Sequence, residues 1–369
     1  MKNIAIVGGG LAGLVSGIQL AKKGVPCAIF ERKDYPINRV CGEYISNETL
    51  SFLKQNNLYP ENFNPPQISF LQLSSVSGHS ATMLLDLGGF GISRYAFDHF
   101  LYKKAVEAGV KIHTNTEVLD VVYNNTKFNI ELESSTHSAN LVIGTFGKRS
   151  RLDTQLRRKH LTRRSPYVGI KYHVKSNHPE NVIALHNFSG GYCGVVNVEN
   201  GITNICYLVH RDVVRRFKNI SEMEKHVLFK NPNLEKLFKE AVFTDNKPLV
   251  INEISFATKG PVEHHMLLAG DAAGMITPLC GNGMAMAIRS GKLISEISFK
   301  FCEDKITRDK LETDYRKAWS KLFSQRLMLG RIVQKLFGNS FTSDFAVKLM
   351  LHSSSIAQLI VRNTHGKPF

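Results

Sequence analysis

Six cysteines are all that this chain of 369 residues contains, and none falls in a C-x-x-C pair. Cys27, Cys41, Cys193, Cys206, Cys280 and Cys302 are scattered. That scatter excludes a zinc ribbon or a disulfide framework and suits a reducing compartment. No His/Asp/Glu group has metal-ligand spacing, so no metal site is expected. No apolar run is long enough to span a bilayer. Met1 and Lys2 lead straight into an apolar segment, leaving no room for a signal peptide. A cytoplasmic protein is expected, at most peripherally associated with a membrane. Repeats and low-complexity tracts are missing. Acidic residues are scarce: 31 Asp and Glu stand against 47 Lys and Arg, for a net charge of +16. Eight Lys/Arg and one Asp lie between residues 148 and 164 alone. Such a field draws anionic partners. An acidic carrier protein and an anionic membrane surface fit it, as does a merely solvated basic face. Nucleic acid is not expected, because no recognition module accompanies the charge.

What is present is concentrated near the N-terminus, in IAIVGGGLAGLVSGIQLAKKGVPCAIFE. Gly8, Gly10 and Gly13 fall in a G-x-G-x-x-G spacing directly after an apolar strand. Gly8 allows the tight turn, Gly10 lets backbone approach a pyrophosphate, and Gly13 permits close helix–strand packing. The helix that follows offers free N–H groups and partial positive charge to a diphosphate. Glu31 ends the next strand, where an acid hydrogen-bonds ribose hydroxyls. This pattern predicts a dinucleotide site. The alternative is a glycine-rich turn in a fold that binds nothing.

Hydrophobic residues make up 43% of the chain, enough for two or three domains with a large core. A short helix is expected at 47–55, strands at 68–73 and 81–87, and a helix through Phe97, Leu101 and Ala105 that ends at Gly109. Segments 116–123, 127–133 and 140–145 read as a β-meander closing on the first sheet. Strands are expected at 168–174, 181–188, 191–198 and 204–210, interrupted by one helix over 221–241. A buried strand then returns the chain to the first sheet, and a long helix starts at Gly283. The expected fold is α/β: a Rossmann-like nucleotide-binding domain (1–65, 93–165, 257–300), an inserted antiparallel β-sheet substrate domain (66–92, 166–256) and C-terminal helices (301–369).

Three further motifs narrow the chemistry. MLLAGDAAGMITPLCGNGM places Asp271 after a strand and Pro278, Gly281 and Gly283 in a bare turn into a helix. The helix N-terminus suits a flat ring that becomes anionic on reduction. Arg94 opens SRYAFDHFL, and RVCGEY carries Arg39, Cys41, Gly42 and Glu43. In this order the motifs resemble the flavoprotein family of FAD-dependent aromatic hydroxylases, geranylgeranyl reductases and flavin-dependent halogenases. The resemblance covers roughly residues 1–300. It implies non-covalent FAD, with contacts from Gly8, Gly10, Leu11, Ala12, Gly13, Glu31, Arg32, Arg39, Cys41, Gly42, Arg94, Val118, Gly270, Asp271, Pro278, Gly281, Asn282, Gly283 and Met284. NAD(P)H is the implied electron donor.

The departures separate the branches. Phe146 stands where the hydroxylases carry the acid of an Asp-Gly motif. The only tryptophan, Trp319, lies in the C-terminal helices, which disfavours the halogenases and their W-x-W-x-I-P stretch. Cys41 and Gly42 match the reductases' cysteine–glycine loop, but their Y-x-W-x-F-P strand survives here only as Tyr192 in GGYCGVVNV. Cys41 and Tyr192 are the candidate catalytic residues, each able to deliver a proton; the alternative is a small buried hydrophobe and a core aromatic. His173, His186, His264 and His265 read as core or loop histidines. The resemblance favours a monooxygenase of secondary metabolism. It would hydroxylate a hydrophobic, phenolic, lipid-like or carrier-bound substrate through a flavin C4a-hydroperoxide. Alkene reduction and non-catalytic FAD binding are the other readings.

Overall fold

A computed structural model describes residues 1–158, 166–254, 256–257, 259–277, 281–334 and 337–369. Strand Ile4–Val7 is buried along its whole length, as a near-continuous apolar run demands in a parallel sheet covered on both faces. It sits fourth in a six-stranded sheet, between Leu141–Gly144 and Cys27–Phe30. Lys111–His113 and Met266–Leu268 extend the sheet in parallel, and Val262–Glu263 closes one edge antiparallel. Helix Leu11–Ala21 lies against this sheet and against the long helix Gly283–Cys302. The approach of the two helices is close: a Cβ at Gly291 would lie 2.8 Å from the Ala12 carbonyl oxygen.

Segment 140–145 differs from the expected meander. Its strand, Leu141–Gly144, joins the parallel sheet. The third meander strand is instead Thr136–Ala139, which completes a three-stranded antiparallel sheet with Val118–Asn124 and Lys127–Leu132. Thr136–Ala139 is short and mostly polar, so it carries little hydrophobic signal.

A nine-stranded sheet forms the second layer. Tyr167–Lys175, Ile202–His210, Gly191–Val198 and Val182–Phe188 run antiparallel in that order, and Val182–Phe188 then pairs in parallel with Gln67–Ser74. Ser80–Gly91 follows, and Tyr44–Ser46 is the edge strand beyond it. The expected helix over 221–241 is two helices, Ile220–Val227 and Pro232–Glu240. Asn231 divides them, because its side chain caps the second helix and Pro232 occupies the first helical position. The C-terminal part is helical: Arg308–Gln334, Ser340–His352 and Ser354–Thr364. The last two pack on strand Ser80–Gly91. Among the described residues, no helix is long and apolar enough to cross a membrane.

Candidate functional site

The glycine turn is built as its spacing predicts. Gly8 has φ +105°, and a Cβ there would lie 2.6 Å from the Thr145 carbonyl oxygen. A Cβ at Gly13 would meet the Thr145 hydroxyl at 2.7 Å. Thr145 itself donates to the Gly8 carbonyl at 2.6 Å, so it ties the turn to the neighbouring strand. Gly10 differs in kind. Its missing Cβ would touch only the Arg94 guanidinium, at 3.8 Å, and otherwise face open space. Helix Leu11–Ala21 starts there with no side-chain cap and no acid in its first turn. The positive end of its dipole is therefore uncompensated at Leu11 and Ala12. Glu31 is buried and accepts the Gly9 N–H at 2.8 Å. Arg32 is exposed beside it. The Thr116 N–H donates to the Glu31 carbonyl at 2.9 Å, which brings the Val118 strand to this corner. Val118 itself is buried in the main core.

Arg94 sits at the head of helix Arg94–Glu107, capped by Ser93. Its guanidinium grips Asp98 with two contacts of 2.7 Å. Arg39 reaches the same carboxylate at 3.2 Å and Glu31 at 3.4 Å. Burial opposes the charge of Arg94, but Asp98, and then the Cys41 thiol, hold the guanidinium charged and above its ordinary pKa. Asp98 lies inside the SRYAFDHFL stretch, a residue that the motif alone does not single out. Its spacing of four residues from Arg94 was the available signal.

The Cys41 loop is pinned from below by the nine-stranded sheet. Asn204 donates to the Cys41 carbonyl at 3.1 Å, and the Lys171 ammonium to the Arg39 carbonyl at 3.3 Å. Glu43, fully buried at φ 56°, is the keystone. It accepts Lys171 at 2.5 Å, His173 at 2.7 Å and the Arg94 N–H at 2.7 Å. Burial alone would raise its pKa; Lys171 and His173 hold it below the ordinary range instead. Cys41 is half-buried and Gly42 exposed, with nothing within 4 Å of a Cβ at Gly42. Cys206 lies on the sheet beneath, its thiol pushed up to about 12 by burial and then by Cys41.

The second glycine turn closes the other side. Gly270 has φ +60° and its N–H donates to Ser290 at 2.9 Å. Lys259 donates to the Asp271 carbonyl at 3.0 Å and to the Lys148 carbonyl at 2.9 Å. Gly281 has φ +61°, Gly283 begins the long helix, and Met284 is buried. Asn282 turns its amide to the Thr364 carbonyl at 3.2 Å. Pro278 and Cys280 lie outside the described residues, as do residues 159–164 of the basic run. Arg158, counted in that run, is buried on Asp153 at 2.9 Å and so adds nothing to a basic face. Phe146 packs on the core beside Gly144.

Between the sheet and the C-terminal helices lies an apolar chamber of about 130 Å³ that opens to solvent. Leu71, Leu185, Val333 and Phe345 line it, and Gly281, Tyr44 and His365 form its end at the glycine turn. Tyr192 is buried behind this wall, its ring 5.7 Å from that of Phe337, which does line the chamber. Among the described residues, neither Tyr192 nor Cys41 lines the chamber; Cys41 stands in the loop that leads to Tyr44 at its end. His186 is a core histidine on Ser74 at 2.8 Å, pushed down to about 3 by burial. His265, in a turn, pairs with Glu312 of helix Arg308–Gln334. His173, read as a bland histidine, belongs to the Glu43 cluster.

A family profile described as an FAD binding domain matches residues 1–295. Digeranylgeranylglycerophospholipid reductase 2 of Methanopyrus kandleri is 25% identical over 97% of this chain and 92% of its own length. Digeranylgeranylglycerophospholipid reductase 1 of Methanococcoides burtonii is 23% identical over 91% of this chain and 83% of its own. Among solved structures, a flavoprotein/dehydrogenase from Cytophaga hutchinsonii has a TM-score of 0.81 at 15% identity, covering 98% of this chain and 92% of that one. A geranylgeranyl bacteriochlorophyll reductase-like protein of Thermoplasma acidophilum has a TM-score of 0.79 at 17% identity, covering 98% and 94%. A flavin-dependent brominase has a TM-score of 0.79 at 18% identity, covering 97% and 92%.

Proposed function

Because this chain belongs to the FAD binding domain family and is an FAD-dependent oxidoreductase, we propose that it reduces carbon–carbon double bonds in a long apolar substrate. One observation carries this reading. The chamber is walled almost wholly by aliphatic and aromatic side chains, and it runs to the Gly281 turn. A chamber of this lining suits an isoprenoid-like chain better than a small soluble acid. The relatives named as digeranylgeranylglycerophospholipid reductases support the same direction.

The residues fit FAD. Gly10 leaves open the space a diphosphate needs, in front of an uncapped helix N-terminus and beside Arg94. Glu31 would take the ribose hydroxyls in exchange for the Gly9 N–H. Asp271, Gly281 and Gly283, with Cys41 and Gly42 opposite, would enclose the ring system. Bound FAD supplies the two-electron reductant, with NAD(P)H as its proposed source. Cys41 then delivers the proton from its thiol to the substrate carbon, and the Glu43 cluster fixes the loop that presents it. The apolar lining of the chamber disfavours water beside the reacting carbons.

The test is anaerobic turnover with a polyprenyl lipid, followed by mass spectrometry of the lipid. Bleaching of the yellow protein by NADPH or NADH identifies the donor. Two hydrogens gained per reduced double bond is the expected outcome. A single oxygen gained in air, with no hydrogens gained without it, would overturn the reading in favour of hydroxylation.

A further inference from the structure

The helices that wall the chamber have a second apolar face, turned to solvent. On Ser340–His352, Ser343, Val347 and Met350 are buried, while Phe341 is 82% exposed, Phe345 56% and Leu351 60%. On Ser354–Thr364, Ile356 is 46% and Leu359 58% exposed. These are large side chains for a water-facing surface, and they fall on two consecutive helices. Phe345 belongs to both surfaces: it is exposed and it lines the chamber. The outer apolar face is therefore continuous with the chamber mouth.

The charged side chains beside this face are mainly basic, with Asp344 the one acid on the two helices. Lys348 and Lys367 stand exposed. Arg362 is exposed too and pairs with Asp86. Exposed apolar side chains with basic neighbours are the signature of a surface that lies in the boundary between acyl chains and anionic headgroups.

We propose that this face docks on an anionic lipid bilayer. Phe341, Leu351 and Leu359 enter the acyl boundary, Lys348 and Lys367 meet the phosphates, and the chamber opens toward the membrane. A bilayer fits better than a protein partner because the exposed residues spread over two consecutive helices, carry basic neighbours and border the mouth of the apolar chamber. A substrate could also pass from bilayer to chamber without leaving an apolar phase. The inference uses the proposed function only in taking the chamber as the substrate's place.

The experiment is co-sedimentation of the full-length flavin-loaded protein with two kinds of vesicle, phosphatidylcholine alone and phosphatidylcholine mixed with phosphatidylglycerol. No substrate is present, so the result is independent of the reaction catalysed. Binding to the mixed vesicles, weakened by salt and absent with the neutral ones, is expected. The triple variant Phe341→Ser, Leu351→Ser, Leu359→Ser should lose binding by at least about tenfold while keeping its FAD absorbance. Should that variant fold poorly, Lys348→Glu with Lys367→Glu gives the same readout through charge. Failure of the wild type to bind either vesicle, or equal binding by wild type and both variants, overturns the proposal. Co-elution with an acidic carrier protein by a chain that ignores vesicles overturns it as well.

Discussion

Arg94 and Asp98, one helical turn apart, meet through two contacts of 2.7 Å each, and Arg39 shares the same carboxylate. Asp98 is fully buried and balances both cations. Asp98→Asn should therefore cost about 3 kcal/mol of stability, because it leaves paired cations without their counter-charge. Chemical denaturation of the flavin-free chain measures this. FAD affinity should fall with it, since Arg94 would no longer be held beside Gly10.

Gly10 and Gly13 should fail in opposite ways. Gly10→Ala adds a methyl group that meets nothing closer than Arg94, so the fold should keep its melting temperature and lose FAD affinity. Gly13→Ala drives a methyl group into the Thr145 hydroxyl and the Gly8 carbonyl. It should lower stability by about 1–3 kcal/mol through overpacking. Thermal melts beside flavin-fluorescence titrations separate the two. A Gly10→Ala variant that binds FAD as tightly as wild type would contradict the diphosphate assignment.

Glu43 predicts a pH signature. Its folded pKa lies below the ordinary value of 4.5. The stability it contributes is thus fully present above that value and lost as pH falls through the folded pKa. Glu43→Gln removes the ionisation and strands Lys171. Wild type should exceed the variant by about 3 kcal/mol near neutrality. The gap should narrow only below the ordinary glutamate range. A gap that instead shrinks on raising the pH from neutrality would contradict the ion cluster.

Cys41→Ala should leave FAD uptake intact and slow turnover by about 10²-fold or more, the size of a lost general acid. Cys41→Ser should recover part of that rate. Reduction of the flavin by NADPH, followed separately, should be unchanged in both. Tyr192→Phe should alter turnover little, because Tyr192 stands behind Phe337 rather than on the chamber wall.

The nucleotide corner was legible because its parts are neighbours in sequence. Gly8, Gly10, Gly13 and Glu31 lie within one strand–helix–strand unit, where turn geometry and periodicity act locally. The Glu43 cluster was not legible, because Lys171 and His173 come from a strand 128 and 130 residues away. In sequence they are two polar residues on an ordinary strand. Their meaning depends on the sheet sliding Tyr167–Lys175 beneath the Cys41 loop. The C-terminal helices had a similar ambiguity. Helical periodicity shows an apolar stripe, but not that one stripe walls a chamber while another faces water.

Chain order adds a consequence of the chamber's construction. Its walls run from Tyr44 to His365, so they come from both ends of the chain. During synthesis the glycine turns and the Cys41 loop are all complete by residue 284, before helices Ser340–His352 and Ser354–Thr364 have emerged. The sheet face carrying Leu71 and Leu185 therefore waits uncovered while the last part of the chain is made. Apolar surface left uncovered in that interval is aggregation-prone.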